Sequence, residues 1–252
     1  MNNLKQIGVA LQGYEETFRR LPRASVRDEN GTPMHSWRVE LLPYMEGRSL
    51  WSRYNPDEPW NGPNNSKLSA QMPREYACPR DPDAGPPMTS YVAIVGSGTA
   101  WPDDGSLRLD DFPDGAANTL LLAEVANPSI HWMEPRDLTL ADLAQGMQPH
   151  EGMGVSSKHN SGQGACVLYA DGSVRFLSSG VPPTILKSLA TVDGSEEVDR
   201  DSLRQKYPPK LSWANKYGPG LSLAIILVTG ILLAFRPFRK LEENPESESA
   251  ET

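Results

Sequence analysis

Leu4, Ile7, Leu11, Tyr14 and Phe18 recur at spacings of three, four, three and four. That period lays them on one face of a helix, with Lys5, Gln6, Glu15, Glu16 and Arg19 largely elsewhere. A helix therefore opens the chain, and Pro22 with the polar stretch to Pro33 ends it. Ser36 is a candidate N-cap for a second helical stretch, Trp37 to Leu42, interrupted near Pro43 and resuming from Gly47 to Tyr54. A turn-rich loop from Asn55 to Asn64 leads to a third, short helix over Asn65 to Gln71.

After Cys78 the pattern changes to strand. Ser90 to Val95 and Thr119 to Val125 are runs of β-branched and apolar residues, the second following the turn residues Asp114 and Gly115. Ile130 to Met133 reads as a further short strand, and Thr139 as the cap of a helical turn from Leu140 to Ala144. Two alternating apolar runs, Ala165 to Ala170 and Ser173 to Leu177, are joined by Asp171 and Gly172. They predict a hairpin with a type I′ turn, which needs positive φ at both central positions. Pro182, Pro183 and Thr184 then open a last helix to Ala190.

Between Lys216 and Arg236 there is no charged residue, and Leu221 to Phe235 is almost wholly apolar. At about 1.5 Å per residue this run approaches the ~30 Å hydrocarbon core of a bilayer, so a single transmembrane helix is expected, with membrane lipid as its partner. Arg236, Arg239 and Lys240 follow at once and favour a cytoplasmic tail with the folded domain outside, against comparable cations at Arg204, Lys206, Lys210 and Lys216. The expected organisation is a domain over 1–195, a juxtamembrane stalk over 196–216, the span over 217–235 and a charged, disordered tail over 236–252. Met1 to Leu11 lacks the basic region and apolar run of an export leader. Export therefore calls for a leader upstream of Met1, or for insertion by the C-terminal helix alone.

Composition narrows the function classes. The 252 residues suffice for one domain with appendages, and a net charge of -8 argues against a nucleic-acid surface, which needs clustered cations. With 23 Pro and 21 Gly the domain is rich in turns, and two cysteines exclude both a disulfide framework and a zinc site built from cysteine pairs. Whether Cys78 and Cys166 pair is left open.

Several segments, in this order, resemble one family: Asn2-Asn-Leu-Lys-Gln-Ile-Gly-Val-Ala-Leu, Ser36-Trp-Arg-Val-Glu-Leu-Leu-Pro-Tyr-Met-Glu, Cys78-Pro-Arg-Asp-Pro, Ser90-Tyr-Val-Ala-Ile-Val-Gly, Asp114-Gly-Ala-Ala-Asn-Thr-Leu-Leu-Leu-Ala-Glu, then His159 and Ala170-Asp-Gly-Ser-Val-Arg-Phe. They are similar to an uncharacterised prepilin-like family expanded in planctomycete bacteria, over residues 2 to 195. The family motif, His-x9-Asp-Gly, falls on His159, Asp171 and Gly172, but eleven residues separate His159 from Asp171 here. The resemblance implies an α+β, pilin-like fold, with the N-terminal helix packed on an antiparallel sheet. It also implies a role in a surface assembly with other pilin-like or envelope proteins, and it supplies no activity. Typical members open with a leader and a long apolar stem; here that anchor is expected to be absent, with the C-terminal membrane helix as its substitute, or lost to a misplaced start.

Asp114, Glu124, His159 and Asp171 form the candidate metal set, since oxygen-rich loops bind calcium outside the cell. The simpler account is that each serves its own turn or loop, and no cofactor is expected beyond that one candidate. For hydrolysis, His131, His150 or His159 could pair with Ser156, Ser157 or Ser161, yet no Gly-x-Ser-x-Gly elbow, His-Glu-x-x-His helix or phosphate loop occurs. Catalysis is not expected. Trp37, Trp51, Tyr54, Trp60 and Trp101 could instead furnish a glycan- or peptide-binding surface, or cover the core of a loop-rich domain.

Overall fold

The structure, a computed structural model, describes residues 1–126, 129–147, 154–158, 163–193 and Leu203. The chain divides into two units, Met1–Lys210 and Leu211–Thr252, and the second lies outside the described residues. The expected stalk, apart from Leu203, the span from Leu221 to Phe235 and the tail lie there too. Among the described residues no helix is long and apolar enough to cross a membrane.

Helix α1 spans Asn2–Phe18 and buries Leu4, Ile7, Leu11 and Tyr14, the face read from the spacing. Each aliphatic side chain so buried contributes roughly 1.5–3 kcal/mol of transfer free energy. Gly8 lets the helix approach the sheet closely, since a Cβ there would lie 3.0 Å from a Leu168 methyl group. Phe18 departs from expectation and is 50% exposed. It sits in the last turn, where its ring lies 4.4 Å from Tyr14, and the helix stops at Arg19, whose φ of 57° is left-handed.

Strands β1 (Ser25–Arg27) and β2 (Pro33–Ser36) form a small antiparallel hairpin that starts in the stretch read as a breaker and runs on to Ser36. The Asp28 carboxylate closes it, accepting from the N–H groups of Asn30 at 2.9 Å and Thr32 at 2.7 Å. Short helices α2 (Trp37–Glu40) and α3 (Arg48–Trp51) follow where helix was expected, and Asn65–Gln71 is a 3-10 helix. Ser36 opens α2 without a side-chain cap, because its hydroxyl donates to the Trp132 carbonyl at 2.8 Å instead.

The main sheet comprises β3 (Tyr91–Val95), β4 (Leu120–Glu124), β5 (Leu138–Thr139), β6 (Gly164–Tyr169) and β7 (Val174–Ser178), in the order β5-β3-β4-β6-β7. It is mixed rather than wholly antiparallel, since β5 runs parallel to β3, Ile94 beside Leu138. Ile130 to Met133 gives no strand, only an isolated bridge between Met88 and His131. The β6–β7 hairpin forms as read, but with a different turn. Gly172 N–H donates to Tyr169 O at 3.0 Å and Tyr169 N–H to Ser173 O at 2.9 Å, closing a three-residue loop. Such a loop needs positive φ only at its last residue, Gly172 at 78°, so Asp171 keeps ordinary geometry.

Alternation along the strands divides two cores. Leu168, Cys166, Tyr91 and Leu122 face α1. Val167, Ala165, Val92 and Ala123 face the opposite layer, built from α4 (Leu140–Leu143), α5 (Pro183–Ala190) and Leu203. The sheet is therefore covered on both faces, which explains why β6 is buried along its whole length.

Candidate functional site

The Ser36-Trp37-Arg38 segment turns inward. Arg38 is fully buried and pairs through Nη2 with Asp137, while its Nε donates to the Tyr91 carbonyl at 3.1 Å. Asp137 also accepts from Trp37 Nε1 at 3.2 Å and from the Ala93 N–H at 2.8 Å. Burial pushes the Asp137 carboxyl upward, and the Arg38 guanidinium with the Ala93 and Trp37 donors pulls it back. Tyr76 OH closes the cluster by donating to the Arg38 carbonyl at 2.8 Å. Four segments far apart in sequence are thereby pinned at one point.

A second buried cluster lies at the end of β4, on the α1 side of the sheet. Tyr91 pairs with Glu124 across β3 and β4, and Ala123 pairs with Val167, which sets Glu124 beside Cys166. The Glu124 carboxylate accepts the Cys166 N–H at 3.2 Å and acts on both the Cys78 and Cys166 thiols. The cysteines are buried thiols, not a disulfide. Burial foremost, with Glu124 adding to it, pushes Cys78 up to about 12 and Cys166 up to about 11. Both shifts disfavour the thiolate, the nucleophilic form.

Just outside this cluster Lys158 Nζ lies 2.8 Å from Asp81 Oδ1 and also pairs with Asp83. Those bonds raise the Lys158 pKa and tie the Cys78-Pro-Arg-Asp-Pro loop to the residue that precedes His159 in sequence. Ser156 belongs to the same anchorage: its N–H donates to Glu124 O at 3.0 Å, and its hydroxyl accepts the Ala126 N–H at 3.0 Å. His159, His150 and Ser161 lie outside the described residues.

Asp171 and Asp114 occupy the opposite end of the sheet. Asp171 donates its N–H to Ala116 O at 3.0 Å and accepts the Ser173 N–H at 2.9 Å, while Asp114 N–H donates to Val192 O at 3.1 Å. Leu120 pairs with Tyr169, close to these turns, and Glu124 lies four residues further along β4, about 13 Å at ~3.3 Å per residue. The structure does not bring Glu124 together with Asp114 and Asp171, and among the described residues no group of three or more His, Cys, Asp or Glu is placed to hold a metal.

His131 does meet a serine, though not one of those nominated. Its Nε2 is 2.6 Å from Ser69 Oγ, while its Nδ1 accepts the Met133 N–H at 3.2 Å. Nδ1 is therefore unprotonated and Nε2 carries the proton, so the imidazole donates to Ser69. A general base would have to accept from it. Burial lowers the His131 pKa, against Glu134, and favours this neutral tautomer.

Of the five aromatics, Trp37, Trp101 and Tyr54 are buried, and Trp60 packs on His131 with ring centroids 4.8 Å apart. Trp51 lines a surface hollow of about 590 Å³ shared with Pro43, Tyr44, Met45 and Arg48. A second groove, about 310 Å³, shares Tyr44 and Met45 and runs along α1 past Lys5 and Val9. Val9 is 66% exposed. Its clue in the sequence was a β-branched apolar residue on the helix face that carries Lys5, Gln6 and Glu16.

The profile of a family described as a protein of unknown function (DUF1559) matches residues 1–184 of the chain. No curated protein and no solved structure matches it.

Proposed function

We propose, from the premise that the chain belongs to the DUF1559 family of proteins of unknown function, that it is a membrane-tethered, pseudopilin-like interaction module without catalysis. The observation that carries this reading is the flank of α1. There an exposed valine stands beside a groove walled by Tyr44 and Met45, while His131 and Ser156 of the nominated catalytic groups are committed to internal bonds. Large apolar groups at a surface groove are what association buries. The uncharged run 217–235 supports a single-pass anchor, and the cations after it support a domain held outside the cytoplasm.

A second reading, a tethered binder for a glycan or peptide, is favoured by Trp51 and Tyr44 in the same hollow. A photo-activatable residue placed at Val9, with Ser188 on α5 as control, tests the first reading in intact cells. Irradiation is expected to give discrete protein adducts at position 9 and none at 188. Equal labelling at both positions, or none at 9, would contradict it.

A further inference from the structure

We infer that the groove beside α1 is the contact surface for a second copy of this chain, the two copies related by a two-fold axis. This rests on the reading of the α1 flank as an interaction face. The large hydrophobic side chains exposed among the described residues, Met1, Val9 and Phe18, all belong to α1 or its cap. Val9 lies opposite the buried stripe, at the middle of the outward face. Knob and hollow are adjacent: Lys5 and Val9 form the helix wall of the groove, and Tyr44, Met45 and Glu46 the other wall. A two-fold axis requires one patch to complement itself, so that each copy gives and receives the same contact. This patch does so in shape, since each Val9 can enter the partner's groove while its own groove is filled.

It does so in charge as well. Lys5 is exposed on one wall, and on the other the Glu46 side chain is 88% exposed, with Arg74 only at 3.9 Å. A two-fold apposition sets Lys5 against the partner's Glu46 and Glu46 against the partner's Lys5. Glu75, on the same wall, is held by Arg74 Nε at 3.1 Å and does not enter the exchange. Opposite charges on the two walls of one groove make the patch complementary to itself, as an isologous contact requires.

The test is the protein mass of the full-length chain in detergent micelles across a concentration series, by sedimentation or light scattering. The wild type is expected to reach twice 27.7 kDa. Lys5→Glu and Glu46→Lys should each weaken the dimer by roughly tenfold, since each reversal acts on two symmetry-related pairs, and the double variant should return to within about twofold of wild type. Val9→Asp should leave monomer with unchanged helical content, and Ser188→Asp should behave as wild type. A wild type that stays monomeric, a dimer indifferent to Val9→Asp, or a double variant no better than the singles would overturn the two-fold contact. Monomer in micelles together with adducts at position 9 to a different protein in cells would overturn it while leaving the interaction reading intact.

Discussion

At Asp137 one carboxylate accepts hydrogen bonds from Arg38, Trp37 and Ala93, so its removal leaves a fully buried guanidinium without a counter-charge. Asp137→Ala is therefore expected to destabilise the domain by about 3–5 kcal/mol, read from the denaturation midpoint. A loss below about 1 kcal/mol would mean that the pair does not pin the core. The thiols at Glu124 predict a pH dependence. In the unfolded chain Cys78 and Cys166 ionise near the ordinary thiol value of 9.0, whereas burial holds them protonated in the fold up to about 12 and about 11. Above pH 9 the native state thus binds more protons than the unfolded state, and stability must fall as pH rises. The Tm should be steady between pH 7 and 8 and drop through the range 9 to 11, and the double variant Cys78→Ala with Cys166→Ala should flatten that drop. An identical drop in the double variant would assign the alkaline loss to other groups.

At the scale of elements, β6 opens with a residue that only glycine satisfies. A Cβ on Gly164 would lie 2.0 Å from the Leu177 carbonyl oxygen of β7, so Gly164→Ala is expected to break the hairpin pairing and cost several kcal/mol, on the order of 3 or more. Thr139 begins α4 with a reciprocal cap, its hydroxyl accepting the Asp142 N–H at 3.2 Å, and Thr139→Ala should cost about 1 kcal/mol. Elements with a long period or distinctive turn chemistry were legible. Helix α1, the Thr139 cap and the β6–β7 hairpin lie where their residues place them. The β1–β2 hairpin and the parallel β5 were not, because strands of two to four residues carry no alternation to read. The hairpin turn was misread because Asp171-Gly172 also fits a loop in which glycine alone needs positive φ.

Over the whole molecule, burial of particular side chains was the least legible property. The sequence left Trp37 and Trp101 between a binding surface and cover for the core; they lie fully buried, held through their indole N–H groups by Asp137 and by the Leu121 carbonyl. The partners lie 100 and 20 residues away in sequence, beyond the reach of any local pattern. The candidate site shows the same limit: Val9 was visible as an apolar residue among polar ones, but its groove is assembled with Tyr44 and Met45 from another segment. The two-sided cover of the sheet, α1 on one face and α4 with α5 on the other, leaves the outer flank of α1 as the surface where large apolar groups meet solvent among the described residues. We propose that this flank is presented outside the cytoplasm by an anchor over 217–235. Protease treatment of intact cells carrying a tag at each end of the chain tests that directly. Cleavage of the domain and its N-terminal tag with protection of the C-terminal tag is expected; a domain protected in intact cells and cleaved only after lysis would contradict that placement.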